Sequence, residues 1–556
     1  MQSTRAMPRT VSLARPRFRL PAMSEGAGIF WLVLAGYLAV ATFLVFGANI
    51  IQGDALSRVG SATYVLYSRD PHLAAIGFVW SPLPSLLMLP LLPFRILLPQ
   101  LVELGFAANI VSAVCMAGAV YQVWRILADL RVTRRWRLLA TLLFAVHPMI
   151  TFYGANGMSE APFLFFLLLA VRYLAAWIHT SRIEWQVYAG LALGAAYLCR
   201  YEALPAGLGA LLVVTLVSWM RGKANRERRL VTALCDAAIV AAPLLLAVAV
   251  WAVASYVIVG HPFEQFASIY GNDSQMRTLA PGRQATDLHE ALLQLVILEP
   301  FLVAAVVLGA LTAARRRDLR GLAVLGVLAP VLVFAAWAHL NGTVAPWLRY
   351  FIVAIPLGTL MVAMALGEPD VRRPKVRSRL RNGLKTTLNA AIVMSLAIAA
   401  PVSAVAMTGP SIAPEEGHQL SYLATGGRLT ADQQRAAEHF VTERAVAAYL
   451  DRRHLPRGSV LVDTFLGYSI VLSSKHPDEF VITSDRDFKQ AIADPSGMGV
   501  KYILVPSQRG LGNLDAINQA YRAMYTSGGG MGVLLKEFRN VGDGADWRLY
   551  GVTSTR

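Results

Sequence analysis

Cysteine is nearly missing from this chain: Cys115, Cys199 and Cys235 are the only three in 556 residues. All three sit in or beside strongly apolar stretches. The polar parts therefore have neither a disulfide framework nor a thiolate metal site. Charge is scarce as well, with 15% charged against 56% hydrophobic residues and a mean hydropathy of +0.49. That composition excludes an ordinary water-soluble globular protein. Acid is scarcest: 34 Asp and Glu face 51 Lys and Arg, a formal net charge of +17. There is no short-period repeat and no low-complexity tract. The glycine cluster "TSGGGMGVLL" (Thr526–Leu535) lacks the Lys-Ser/Thr of a phosphate loop and precedes a β-like run, so it reads as a flexible turn.

What is present is a series of long apolar runs with bases between them. Lys and Arg gather in Arg5–Arg19, Arg125–Arg137, Arg221–Arg229, Arg315–Arg320 and Arg372–Lys385. Placing every one of these on the cytoplasmic side satisfies the positive-inside rule with a single alternation of spans. The tail from Pro410 to Arg556 holds 16 basic and 16 acidic residues, so the excess reports topology and not nucleic-acid binding. The spans expected are 28–50, 104–127, 138–154, 160–179, 186–199, 204–220, 233–259, 292–313, 321–340, 348–366 and 386–408. The first is too long for a signal-peptide core and reads as a retained anchor. Eleven crossings put a basic N-terminal tail (1–27) in the cytoplasm, a membrane domain over 28–409 and an extracytoplasmic domain over 410–556. The expected location is the plasma or inner membrane.

One apolar stretch breaks this count. "SPLPSLLMLPLLPFRILLP" (Ser81–Pro99) carries five prolines, which repeatedly remove helix hydrogen bonds. It reads as a short helix lying in the outer interface or re-entering it. The outer face then collects almost every charge not in the basic loops or the tail: Asp54, Arg58, Glu160, Arg200, Glu202, Glu264, Arg283 and Arg349. Arg172 is the main exception. Transporters tend to set ionisable groups near mid-membrane along a route. Charges gathered at one surface favour a site worked from outside on something delivered in the bilayer. The 30-residue connection Gly260–His289 exceeds the usual loop and reads as a lid or binding loop.

The tail opens with a polar linker and an amphipathic stretch, "EHFVTERAVAAYLDRRHL". Short β-rich runs follow at Ser459–Asp463, Glu479–Thr483, Lys501–Pro506 and Trp547–Val552, alternating with helical stretches. That pattern predicts a small α/β domain. The fold class expected is an α-helical polytopic membrane protein with a small C-terminal α/β domain outside the membrane.

The outer-face motifs, taken in order, carry a resemblance. An acid in the first outer loop, "WSPLP" beyond it, then "SEAPFLF", "RYEALP" and "WLRYFIVAIP" resemble the GT-C glycosyltransferases. More narrowly, they are similar to the branch holding protein O-mannosyltransferases and lipid A aminoarabinose transferases. The resemblance spans residues 28–408 and implies a polyprenyl-phosphate sugar donor, with the first-loop acid, Asp54, as catalytic base. The chemistry agrees independently, because a prenyl phosphate is already a good leaving group. What remains is to deprotonate an acceptor hydroxyl and stabilise the departing phosphate, and direct displacement inverts the anomeric centre. Arg58, Arg200 and Arg349 are candidates for the lipid phosphate, since a guanidinium fork matches its oxygens; Arg349, starting a span, stands first. His261 and Arg283 of the long loop are further candidates. Trp80, Glu160, Tyr201, Glu202, Trp347 and Tyr350 are candidates for sugar or acceptor. Each has a plainer structural reading: a solvated cap for Asp54, an Arg200–Glu202 pair, interfacial aromatics, helix-end or loop histidines for His147 and His261.

Where aminoarabinose-type enzymes often show Lys-Pro-Pro, this chain reads Ser81-Pro82-Leu83-Pro84, so the sugar is not assigned. No cofactor is expected: a divalent ion shared by Asp54, Glu160 and Glu202 is weighed and not favoured. The expected acceptor is a glycan, glycolipid or protein, with membrane lipids the surroundings. A lipid-linked sugar flippase and a non-catalytic cell-envelope assembly protein are the competing readings.

Overall fold

The computed structural model describes residues 24–223, 225–279, 288–345, 347–367, 379–424 and 429–553. Among the described residues, eight helices are long and apolar enough to cross a membrane: Glu25–Gly47, Phe106–Asp129, Glu160–Thr180, Ala203–Arg221, Arg226–Val259, Arg320–Leu340, Leu348–Leu366 and Asn389–Met407. Two bent helix pairs bring the number to ten if each is one broken span. Arg134–Ala145 and Pro148–Ala155 bend by 60°, and Leu288–Leu298 and Leu302–Arg316 bend by 71°. Pro148 and Pro300 explain the breaks, since neither can donate the helix hydrogen bond its position requires. Helix Glu184–Cys199, where a span was expected over 186–199, has 16 residues. At about 1.5 Å per residue it reaches roughly 24 Å, less than the hydrocarbon core. The chain is thus a multi-span membrane protein with a helical membrane domain.

Arginines tie the helices together at one end of the bundle. Arg134 meets Glu25 at 3.2 Å and Arg172 meets Asp129 at 3.1 Å. Arg320 donates to the Asp129 carbonyl at 2.9 Å and Arg316 to the Gly367 carbonyl at 2.6 Å, satisfying orphan carbonyls at and beyond helix ends. Small residues set the helix spacing further in. An added Cβ on Gly209 would lie 1.9 Å from the Gly326 carbonyl oxygen, so Ala203–Arg221 and Arg320–Leu340 cross backbone to backbone.

The opposite end is built from the connections. Helix Gly53–Tyr67 follows the first span directly. The proline-rich segment forms short helices at Leu83–Met88, Leu92–Ile96 and Gln100–Glu103. Phe94, Ile96 and Leu97 on it are exposed, as suits an apolar face at a bilayer interface.

The C-terminal residues form a five-stranded sheet in the order β2-β1-β3-β5-β4, with β1 Val460–Leu461, β2 Phe480–Val481, β3 Tyr502–Pro506, β4 Gly532–Phe538 and β5 Trp547–Val552. Strand β1 pairs in parallel with β2 and with β3, while β5 runs antiparallel to β3 and β4. The amphipathic stretch Glu438–Leu455 holds the helix Val441–Asp451; a separate helix, Ala431–Ala437, precedes it, and between them Phe440 takes a left-handed backbone with φ 59°. The glycine cluster is a turn before β4.

This sheet domain is clamped to the helix Gly53–Tyr67 at both ends. At its start, Gln52 and Gln419 exchange amide hydrogen bonds. The missing side chain of Gly53 admits the Tyr468 hydroxyl, which lies 3.0 Å from where a Cβ would sit. Beyond its end, Arg69 pairs with Asp485 at 3.0 Å and with Asp487, and Asp70 pairs with Arg486 at 3.0 Å.

Candidate functional site

Two positions four apart on helix Gly53–Tyr67 begin the site. Asp54 occupies the first turn, where unpaired backbone N–H groups favour an anion. Arg58, one turn on, does not pair with its carboxylate: its Nη1 donates to the Asp54 backbone carbonyl at 3.3 Å. The partner of the carboxylate comes from 295 residues away, with Arg349 Nη1 3.1 Å from Asp54 Oδ2. Arg349 lies on the short 3-10 turn Leu348–Phe351 that opens a span. Its guanidinium also meets Glu415 at 3.0 Å and approaches Glu160 at 3.9 Å.

Beside this lies a second ion cluster. The tight turn after Cys199 puts Arg200 between Glu202, 2.6 Å away, and Glu160, with the Ser159 hydroxyl at 3.3 Å. The two clusters share a cavity whose wall includes Asp54, Arg58, Trp80, Ser81, Arg200, Tyr201, Glu202, Arg349 and Tyr350. Gln265 and Asn272, from the long loop, complete the wall.

The structure therefore brings together eight of the candidate residues around one cavity, with Glu160 behind them on Arg200. Trp347 sits outside the wall, stacked on Tyr350 with parallel rings 6.0 Å apart and 4.4 Å from the Arg349 guanidinium. His261 is exposed and is not among the lining residues, and Arg283 lies outside the described residues. His147 is buried at the break of its span, against the Leu298 carbonyl and the Ser403 hydroxyl, each at 3.3 Å.

The carboxylates differ in environment. The Asp54 side chain, deep in the fold yet 43% exposed, faces the cavity. Burial pushes its pKa up, but the Arg349 and Arg58 guanidiniums outweigh that and hold it below the usual carboxylate range. Glu160 and Glu202 are buried and held by Arg200. Glu415, which sequence reasoning missed, is pushed well above the usual range by burial, with Glu416 and Asp54 alongside, despite the Arg349 guanidinium. Its neighbour Glu416 accepts from the Tyr153 hydroxyl at 2.6 Å. The signal for this pair was the doubled acid in "APEEG" just beyond the last span.

The arginines differ too. Arg349 and Arg200 each hold two carboxylates. Arg58 forms no ion pair with a described carboxylate; its Nε lacks a partner, and its guanidinium stands 5.8 Å from the Trp80 ring centroid. Of the residues weighed for a divalent ion, Asp54 pairs with Arg349. Glu160 and Glu202 both face Arg200, and among the described residues no group of three or more His, Cys, Asp or Glu is placed to hold a metal.

An apolar groove of about 1190 Å³ adjoins the cavity. Its wall includes Leu73, Pro82, Leu86, Leu198, Leu246 and Trp251; Pro82 and Leu198 are the chain neighbours of the cavity residues Ser81 and Cys199. The ionic wall and the apolar wall therefore come from adjacent residues of the same two segments.

A helical membrane bundle carrying a small sheet domain over an ionic cavity defines a GT-C-like fold. A family model described as dolichyl-phosphate-mannose-protein mannosyltransferase matches residues 96–255. Among solved structures, ArnT from Cupriavidus metallidurans bound to undecaprenyl phosphate matches with a TM-score of 0.52 at 13% identity, over 94% of this chain and 98% of that one. The same protein in the apo state gives 0.49 at 13% identity, over 95% and 99%. The Archaeoglobus fulgidus oligosaccharyltransferase in the apo form gives 0.44 at 12% identity, over 86% and 70%. No curated protein matches in sequence. Identities this low speak for the fold alone, and the fold is the one expected from the outer-face motifs.

Proposed function

We propose that this protein is a membrane glycosyltransferase that moves a sugar from a polyprenyl-phosphate donor to an acceptor hydroxyl on the extracytoplasmic side, inverting the anomeric centre. One observation carries the reading: the half-exposed Asp54 carboxylate and Arg58, whose guanidinium no described carboxylate pairs, line one cavity, and an apolar groove begins at Pro82 and Leu198, the chain neighbours of two of its wall residues. The groove suits a prenyl chain, and Arg58 suits the phosphate oxygens. Asp54, ionised at neutral pH, accepts the acceptor's proton as the oxygen attacks the anomeric carbon and the prenyl phosphate leaves with its electron pair. A base of depressed pKa suffices because the hydroxyl becomes acidic only as the new bond forms. Arg349 fixes the carboxylate, and Arg200 ties Glu160 and Glu202 into a rigid wall beside the sugar position. Trp80, Tyr201 and Tyr350 offer ring faces to the sugar. ArnT from Cupriavidus metallidurans binds undecaprenyl phosphate, which supports the lipid class for this chain.

The N-terminus lies in the cytoplasm and the sheet domain outside it in this reading, because the described arginines at Arg134, Arg172, Arg316 and Arg320 gather at the end opposite the cavity. The test is incubation of the purified protein with a panel of polyprenyl-phosphate sugars. Release of polyprenyl phosphate supports the reading. A flippase or an assembly scaffold leaves every donor intact.

A further inference from the structure

The sheet domain has a crevice of its own. The chain passes from β1 to β2 on one side, then crosses back to β3 on the other, so the connections diverge at the carboxyl ends of β1 and β3. In open α/β sheets that is where ligands bind. Here Asp463 follows β1, fully buried. It accepts from the Thr483 hydroxyl at 2.7 Å and from the backbone N–H groups of Phe465 and Ala516 at 2.8 and 2.7 Å. The remaining contact comes from the membrane domain: the Tyr270 hydroxyl donates to Asp463 Oδ2 at 3.0 Å, and its ring lies 4.9 Å from that of Phe465. The helix Asn272–Leu279 packs on the turn Gly510–Leu514 beyond β3. A segment of the chain's own long loop occupies the crevice.

That segment also lines the catalytic cavity. Gln265 and Asn272, which flank Tyr270, are in its wall. Phe266 packs edge-on against Tyr201 at 5.3 Å, and Asn272 approaches the Tyr201 hydroxyl at 3.5 Å. Tyr201 stands between Arg200 and Glu202 in sequence. Residues 264–279 thus bridge two anchors, the crevice on one side and the ion cluster on the other.

We propose that Tyr270 is a positioning residue: the sheet domain grips it at the carboxyl ends of β1 and β3, and through it holds Gln265 and Asn272 against the donor-binding cavity. The role assigned to the cavity rests on the function proposed above; the grip itself does not. It gives the sheet domain a task in the reaction, since the loop that closes the cavity is seated by that domain.

The test uses the full-length protein in nanodiscs. Tyr270→Phe removes only the hydroxyl, while Tyr270→Ala removes the ring as well. The expected result is faster amide hydrogen exchange confined to residues 264–279, roughly three- to tenfold for Tyr270→Phe and more for Tyr270→Ala. In turnover, KM for the lipid donor should rise severalfold with kcat within about twofold, the split expected of a lost positioning contact. Unchanged exchange in both variants overturns the proposal. So does faster exchange spread through the sheet domain, because Tyr270 would then be part of that domain's core. If the wild-type protein releases no polyprenyl phosphate from any donor, the proposed function fails, and the exchange measurement still decides whether the loop is held.

Discussion

Replacing Asp54 by asparagine isolates the proton acceptor from the structure around it. The side chain keeps its size, and the amide oxygen still accepts from Arg349 Nη1, now 3.1 Å from Oδ2. Arg349 retains Glu415 at 3.0 Å, so no guanidinium is left without a carboxylate. With 43% of the side chain exposed, little packing changes, and the melting temperature should stay within a few degrees. General-base catalysis contributes about 100- to 10,000-fold, or about 3–5 kcal/mol of barrier, so transfer should fall by at least two orders of magnitude. The assay is product formation from a polyprenyl-phosphate sugar, with binding of undecaprenyl phosphate followed separately. Binding should hold or strengthen, since a negative charge has been removed near a phosphate. Because the guanidiniums keep Asp54 below the usual carboxylate range, it stays ionised as pH falls from 7 to 5, and its protonation should produce no acid limb there. Turnover of Asp54→Asn within about fivefold of wild type, with donor binding intact, would remove Asp54 from the mechanism.

Other substitutions separate Arg349 from Arg58 and probe the helix packing. Arg349→Ala strands Asp54 and Glu415 and should destabilise the protein by about 3–5 kcal/mol; adding Glu415→Gln should recover part of the loss in a thermal melt. Arg58→Gln should instead leave the melt nearly unchanged and weaken undecaprenyl phosphate binding roughly ten- to hundredfold, the worth of hydrogen bonds to a charged group. Gly209→Ala forces apart two helices whose backbones touch at Gly326 and should lower the melting temperature by several degrees without altering donor affinity in the folded fraction. A cysteine placed at Arg134 should be shielded from an impermeant thiol reagent in intact cells, and one at Arg509 should label; labelling at both would overturn the proposed orientation.

Much of the bundle could be read from apolar runs. The run expected at 104–127 is the helix Phe106–Asp129, and the proline-rich stretch is short helices because its prolines forbid a long one. The strands after Ser459 followed from β-branched and aromatic runs. Two kinds of feature were not legible. Broken spans look continuous to hydropathy, which registers Leu288–Arg316 as apolar but not its 71° bend at Pro300. Partnerships across the chain have no local pattern: the Asp54 carboxylate, readable in sequence as a solvated cap, turns to Arg349, whose position is set by tertiary packing. Glu415 was hidden for the same reason, as a polar residue in a linker with no periodicity to place it.

The clamp between the sheet domain and helix Gly53–Tyr67 has a consequence for how the protein comes into being. Asp54 emerges from the ribosome early, whereas Glu415, Gln419, Tyr468, Asp485 and Asp487, which seat it or its helix, are synthesised some 350 or more residues later. Contacts of such sequence separation form late. A nascent chain with all its spans inserted still holds an unbraced carboxylate and an unseated loop. The Asp54 carboxylate and the segment 264–279 are therefore seated only once the last domain has been made and has docked.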